Sequence, residues 1–161
     1  QPFNLTPSIQ MSIAAALNSL RAPSLPPLHA ASEGGDVEAV GRALLDDSQQ
    51  RAAAVDESLP SCGSTPLILA AMAGHAQVVS FLLDRGAKIN YQRKDGTTAL
   101  CAAAMAGRLE AAKVLVARGA DPRLARASGA TPFYLAAAVE SSDGRKPNPE
   151  MVKILTGSPT M

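Results

Sequence analysis

An all-α solenoid is the fold class this sequence predicts, with stacked helix pairs, β-hairpin fingers between them and an N-terminal capping helix. Gly63-Ser64-Thr65-Pro66-Leu67 returns as Gly96-Thr97-Thr98-Ala99-Leu100 and as Gly129-Ala130-Thr131-Pro132-Phe133, so the three glycines stand 33 residues apart. Self-similarity at a fixed period of this size is the mark of a repeat array. Ala73-Gly74 recurs at Ala106-Gly107, Leu82-Leu83 at Leu115-Val116 and Gly86-Ala87 at Gly119-Ala120, all in the same register. Aromatic residues make up 3% of the chain and Trp is absent, while Ala is abundant, which favours layers that approach closely through small side chains.

The first segment, residues 1–24, carries no charge before Arg21. Thr6 followed by Pro7 reads as an N-cap and first helical position, and Ile9, Ile13, Ala16, Leu17 and Leu20 then fall at helical spacing, so an amphipathic helix is expected over Pro7 to Leu20. Terminal repeats need covers, and this helix is expected to cap the first repeat. The alternative is that it docks on a partner, because its other face is Ser, Asn and Gln.

Residues 25–155 divide at about 25–62, 63–95, 96–128 and 129–155. In the first unit Pro26-Pro27-Leu28-His29-Ala30-Ala31 stands where the second has Thr65-Pro66-Leu67-Ile68-Leu69-Ala70. It holds six additional residues, which place an extended loop within Asp46 to Cys62. The second and third units each predict two short helices. Thr65 or Thr98 caps the first and Gly74 or Gly107 ends it. The second runs from about Ala76 to Arg85 and from about Leu109 to Arg118, burying Val78, Val79, Leu82 and Leu83, or Ala111, Ala112, Leu115 and Val116. Lys88 to Gly96 and Pro122 to Gly129 read as turn-rich hairpins. The fourth unit opens normally at Thr131, takes a seven-residue insertion within Glu140 to Asn148, and resumes as a helix at Glu150 to Leu155. Residues 156–161 read as a polar, frayed tail.

These marks resemble the ankyrin repeat family: the 33-residue period, Thr-Pro-Leu opening the first helix, Gly74-His75 before the second, paired Leu, and Gly119-Ala120-Asp121. The likeness covers about Leu25 to Leu155. It implies an L-shaped stack with a concave groove. Where the family has His after Thr-Pro-Leu, His29 conforms while Ile68, Cys101 and Tyr134 replace it. The inter-repeat hydrogen bonds that the resemblance attaches to this His are therefore not expected in the last three units.

Net charge is +1, with no overall drive toward nucleic acid or anionic membrane. The charge is uneven, however: Glu33 to Glu57 carries a local balance of −5 and Arg85 to Arg126 one of +6. No stretch approaches the roughly 20 apolar residues of a membrane helix. Two cysteines and two histidines make neither a disulfide framework nor a zinc pattern. Cys101 sits where the resemblance places a buried His, and Cys62 lies in a finger with no His near in sequence. His29 and His75 read as structural. No Gly-x-Gly-x-x-Gly or Walker sequence occurs. No catalytic, metal or cofactor site is expected, and the chain reads as non-enzymatic.

Function is expected in the positions the period leaves free. They are the finger residues Gln92, Arg93, Lys94, Asp95 and Thr97, with Arg126 and Ser128 in the next finger, and Met72 and Met105 one repeat apart on the groove wall. Ser61, Cys62, Ser64, Ala125, Ala127, Ala130, Ala138 and Val139 share these registers. Soft Met contacts edged by Arg fit a protein-binding surface, and reversing Arg93, Lys94 and Arg126 to Glu is expected to abolish binding to an acidic partner while preserving helicity. The leading reading is a protein–protein interaction module, an adaptor or assembly subunit whose partner is acidic or a multi-subunit assembly. A second is a regulatory or targeting domain of a larger, even enzymatic, protein, which a chain beginning at Gln1 permits. A third is nucleic-acid binding through Arg85 to Arg126, disfavoured because Tyr91 is the only aromatic residue nearby. The expected setting is soluble and intracellular, and removal of an import leader is compatible with the start at Gln1.

Overall fold

In the computed structural model, residues 26–45, 55–137 and 148–156 are described. They form eight helices: α1 (Pro27–Gly34), α2 (Val37–Leu45), α3 (Pro66–Ala73), α4 (Ala76–Asp84), α5 (Ala99–Met105), α6 (Leu109–Ala117), α7 (Pro132–Ala137) and α8 (Pro149–Thr156). The expected capping helix lies outside the described residues, as do residues 46–54 of the loop expected within Asp46 to Cys62 and residues 140–147 of the insertion expected within Glu140 to Asn148.

Each odd-numbered helix packs on the next odd one and each even on the next even, while the two members of a pair pack on each other. Two parallel layers result, and the core runs between them as one continuous row. Leu67, Ile68 and Leu100 are 1% exposed, and Val78, Val79, Leu82, Ala111, Ala112 and Leu115 are wholly buried. Fully burying a Leu or Val contributes about 1.5–3 kcal/mol, so these few positions hold the stack. Leu83 and Val116 are half-buried.

Local chemistry sets the helix starts. The Thr65 and Thr98 hydroxyls accept from the N–H of Ile68 (3.4 Å) and Cys101 (3.2 Å), and Thr131 accepts from Tyr134 (3.2 Å). Each satisfies one of the amides that a helix N-terminus leaves open. Pro26 takes the capping position of α1 and offers no side-chain bond.

The expected hairpins differ from what forms. The described residues contain no strand; each finger is a tight turn closed by a single crossing pair. Arg93 N–H donates to Thr97 O (3.1 Å) and Gly96 N–H to Arg93 O (2.8 Å), and Arg126 repeats this with Ala130 (3.0 Å) and Gly129 (2.8 Å). With so few residues in each arm the chain turns into the next helix before a second rung can form.

Candidate functional site

The first surface to consider is the open side of the odd-numbered layer. Met72 is 39% and Met105 43% exposed, each in the last turn of its helix, among Ala residues too short to reach solvent. Arg126 connects this strip to the fingers, its Nη1 donating to Met105 Sδ at 3.4 Å.

The fingers are clamped to one another by the residues the sequence marked as free. Asp95 accepts from Arg93 Nε (2.8 Å) within its own finger and from Arg126 Nη2 (3.1 Å) of the next. Its Oδ1 also accepts the Thr97 N–H (3.0 Å), and its carbonyl accepts the Ala127 N–H (2.9 Å). Burial would by itself raise the Asp95 carboxyl, but the Thr97 side chain and N–H, the Arg126 guanidinium and the Arg93 charge outweigh it. The carboxyl is held well below the usual carboxylate range. A depressed folded-state pKa contributes stability that is present above the ordinary carboxylate value and lost as pH falls through the folded one. Stability should therefore drop below about pH 4, and Asp95→Asn should cost about 1–2 kcal/mol at neutral pH and flatten that acid limb, as urea denaturation at several pH values would read.

Lys94 donates through Nζ to Pro60 O, with Ser61 O at 3.5 Å, so it fastens its finger to the preceding one. Gln92 Nε2 reaches Ala125 O and Gly96 O at 3.5 Å. Thr97, expected as a contact position, is 2% exposed, as is Ser64; Thr97 lies beneath the turn, where its amide and carbonyl close the finger. Ser128, Gln92 and Lys94 are exposed, while Arg93, Asp95 and Arg126 are half-buried. Reversing Arg93, Lys94 and Arg126 together would confront Asp95 with two new carboxylates, so that variant tests folding as much as binding. Ala138 and Val139 lie outside the described residues.

Other basic residues of the Arg85 to Arg126 region also have internal partners. Arg118 pairs with Asp84 (2.7 Å) and donates to Ser80 Oγ (3.0 Å), Lys88 approaches Asp56 (4.0 Å), and Arg85 lies 4.6 Å from the centre of the Phe81 ring.

Two features escaped the sequence reading. His75 Nε2 and Glu33 O are 2.9 Å apart, and one unit later Arg108 Nε donates to Met72 O at 3.2 Å. Before α4 and α6 the residue preceding the helix thus reaches back to a carbonyl at the end of the preceding unit's odd helix, whereas Asn148 before α8 caps its own helix through Glu150 and Met151. The shared register of His75 and Arg108 was the available signal. The second concerns His29. It is wholly buried and neither ring nitrogen makes a hydrogen bond of good geometry, although the backbones of Glu57 and Ser64 lie close enough to favour its charged form. Cys101 is buried, its Sγ donating to Leu124 O at 3.5 Å. Cys62 is half-buried, with its thiol 3.2 Å from Ser64 Oγ; bonds from the Ser64 side chain and backbone lower its pKa. Among the described residues no group of three or more His, Cys, Asp or Glu is placed to hold a metal ion, and no helix is long and apolar enough to cross a membrane.

A family model described as ankyrin repeats (3 copies) matches residues 8–93, and a second, ankyrin repeats (many copies), matches residues 82–136. The chain belongs to the ankyrin repeat family. Ankyrin repeats are generally protein–protein interaction modules, and ankyrin domains are typically non-catalytic. The match begins well before α1, within the segment read as an N-terminal cap. No curated protein matches the chain.

Proposed function

We propose that this ankyrin domain is a non-enzymatic adaptor or assembly subunit that binds a protein partner across the open side of its odd-numbered helices. The observation that supports it best is the pair Met72 and Met105, exposed at one repeat spacing on a wall otherwise made of Ala. A flexible thioether adapts to an apolar partner surface, and Arg126, bonded to Met105, leads from it to the fingers, where Gln92, Lys94 and Ser128 are exposed. The clamp of Asp95 with Arg93 and Arg126 holds two cations against one carboxylate. With the Lys94 ammonium it gives the edge a net positive charge suited to an acidic or mixed-charge partner. The boundaries 1–24, 25–155 and 156–161 are part of this proposal, with the first segment a further contact region.

Met72→Asp combined with Met105→Asp tests the reading, because both side chains are exposed and helicity should be unchanged. Affinity capture with crosslinking should lose the partner by tenfold or more relative to the parent chain; equal recovery would move the interface elsewhere.

A further inference from the structure

Met72 and Met105 occupy the last turns of α3 and α5 and are exposed to a similar extent, 39% and 43%, yet their sulfur atoms have different neighbours. Arg126 Nη1 donates to Met105 Sδ at 3.4 Å, and the same guanidinium is anchored through Nη2 to Asp95 Oδ2 at 3.1 Å. Arg93 holds the register of Arg126 one unit earlier, but its Nε goes to Asp95 Oδ1 at 2.8 Å. Among the described residues a guanidinium therefore donates to the sulfur of Met105, and none donates to that of Met72.

A thioether is a weak acceptor, so this N–H gains little from the sulfur as it stands. The sulfur is also a two-electron reductant, and a peroxide is the oxidant it meets most simply. Its lone pair attacks one peroxide oxygen, the S–O bond forms as the O–O bond breaks, and the proton of the transferred hydroxyl passes to the departing oxygen, which leaves as water. Sulfur is oxidised by two electrons and the peroxide is reduced by two. Negative charge grows on the departing oxygen during this step, and a cationic donor already fixed beside the sulfur stabilises it without reorganising. The product oxygen is a strong acceptor, so a weak N–H···S contact is exchanged for a charge-assisted hydrogen bond. Both the step and its product favour Met105 over Met72.

We infer that Met105 is a redox modification site, converted by a peroxide to its sulfoxide ahead of Met72, with Arg126 as the residue that directs the reaction. Enzymes that reduce one sulfoxide epimer restore the thioether. A polar oxide in the methionine strip would also disfavour an apolar partner; that consequence rests on the binding surface proposed above, whereas the reaction does not. The test accordingly uses no partner: the full chain is treated with hydrogen peroxide at neutral pH and digested for chromatography and mass spectrometry. Met105 should be oxidised faster than Met72 by about threefold or more, the size of one net hydrogen bond, with one sulfoxide epimer in excess because the guanidinium lies to one side of the sulfur. Met151, wholly buried, should stay unmodified and so report that the chain is folded. Arg126→Gln removes the cation but keeps a side-chain N–H, and should bring the Met105 rate down to that of Met72. Equal rates in the parent chain, an even mixture of epimers at Met105, or a Met105 rate that Arg126→Gln leaves unchanged while Met151 stays protected would each overturn the inference. Should the variant expose Met151 to oxidation, the rates and epimers of the parent chain decide alone.

Discussion

Gly96→Ala should be among the most damaging small substitutions in this chain, lowering stability by about 2–4 kcal/mol. Gly96 has φ +77°, a left-handed conformation that costs a residue with a Cβ about 1–2 kcal/mol. The added Cβ would also meet Ala127 N at 2.9 Å and Arg126 Cα at 3.1 Å. Both are backbone atoms of the neighbouring finger, which the Asp95 carbonyl already holds through the Ala127 N–H. Relief would require parting the two fingers. Gly119→Ala is the internal control: its φ is +89°, but nothing lies within 4 Å of the Cβ position, so only the conformational cost of about 1–2 kcal/mol should appear. Urea denaturation of both variants should separate the two contributions, and equal losses would show that the finger contact carries none of the difference.

A second effect should come from pH acting on His29. Burial lowers its pKa, while the backbone and charge of Glu57 and the backbone of Ser64 oppose that shift without reversing it. The unfolded chain then binds a proton that the folded chain does not, at any pH between the ordinary value, near 6.5, and the depressed folded one. Stability is full above that ordinary value and falls as pH drops through the interval, by at most about 1.4 kcal/mol per pH unit for one proton. His29→Leu should remove this limb. It should cost little at pH 7, because it replaces buried nitrogens that make no hydrogen bond of good geometry with apolar atoms of similar volume. Thermal melts at a series of pH values would show the parent curve bending below neutrality and the variant curve staying level; parallel curves would mean that His29 exchanges no proton on folding.

The fold was legible wherever the signal is local or periodic. Thr65 and Thr98 announce the helices they cap, the 33-residue period aligns the units, and the buried set of α4 and α6 follows from helical spacing. The candidate surface was legible only by subtraction. The period says which positions it leaves free, and for Met72 and Met105 freedom and exposure coincide. For Arg93 and Arg126 they do not, because both are half-buried against Asp95, and Lys94, though exposed, is tied to Pro60 O of the preceding finger; sequence spacing carries no such side-chain geometry. Thr97 shows the converse case, a polar residue drawn inward because its backbone closes a turn. Phe133 and Tyr134 read as ordinary first-helix residues, and no local pattern encodes their exposure of 43% and 62%.

The bonds from His75 to Glu33 O and from Arg108 to Met72 O all point one way, from a later unit to an earlier one. On a growing polypeptide this means that a unit already emerged still has an unfinished end until the next arrives. A nascent chain that has just released Gly74 carries α3 with the Met72 carbonyl open, and the group that closes it is more than thirty residues from being made. Across these two junctions completion therefore travels in the direction of synthesis, the later unit sealing the earlier one.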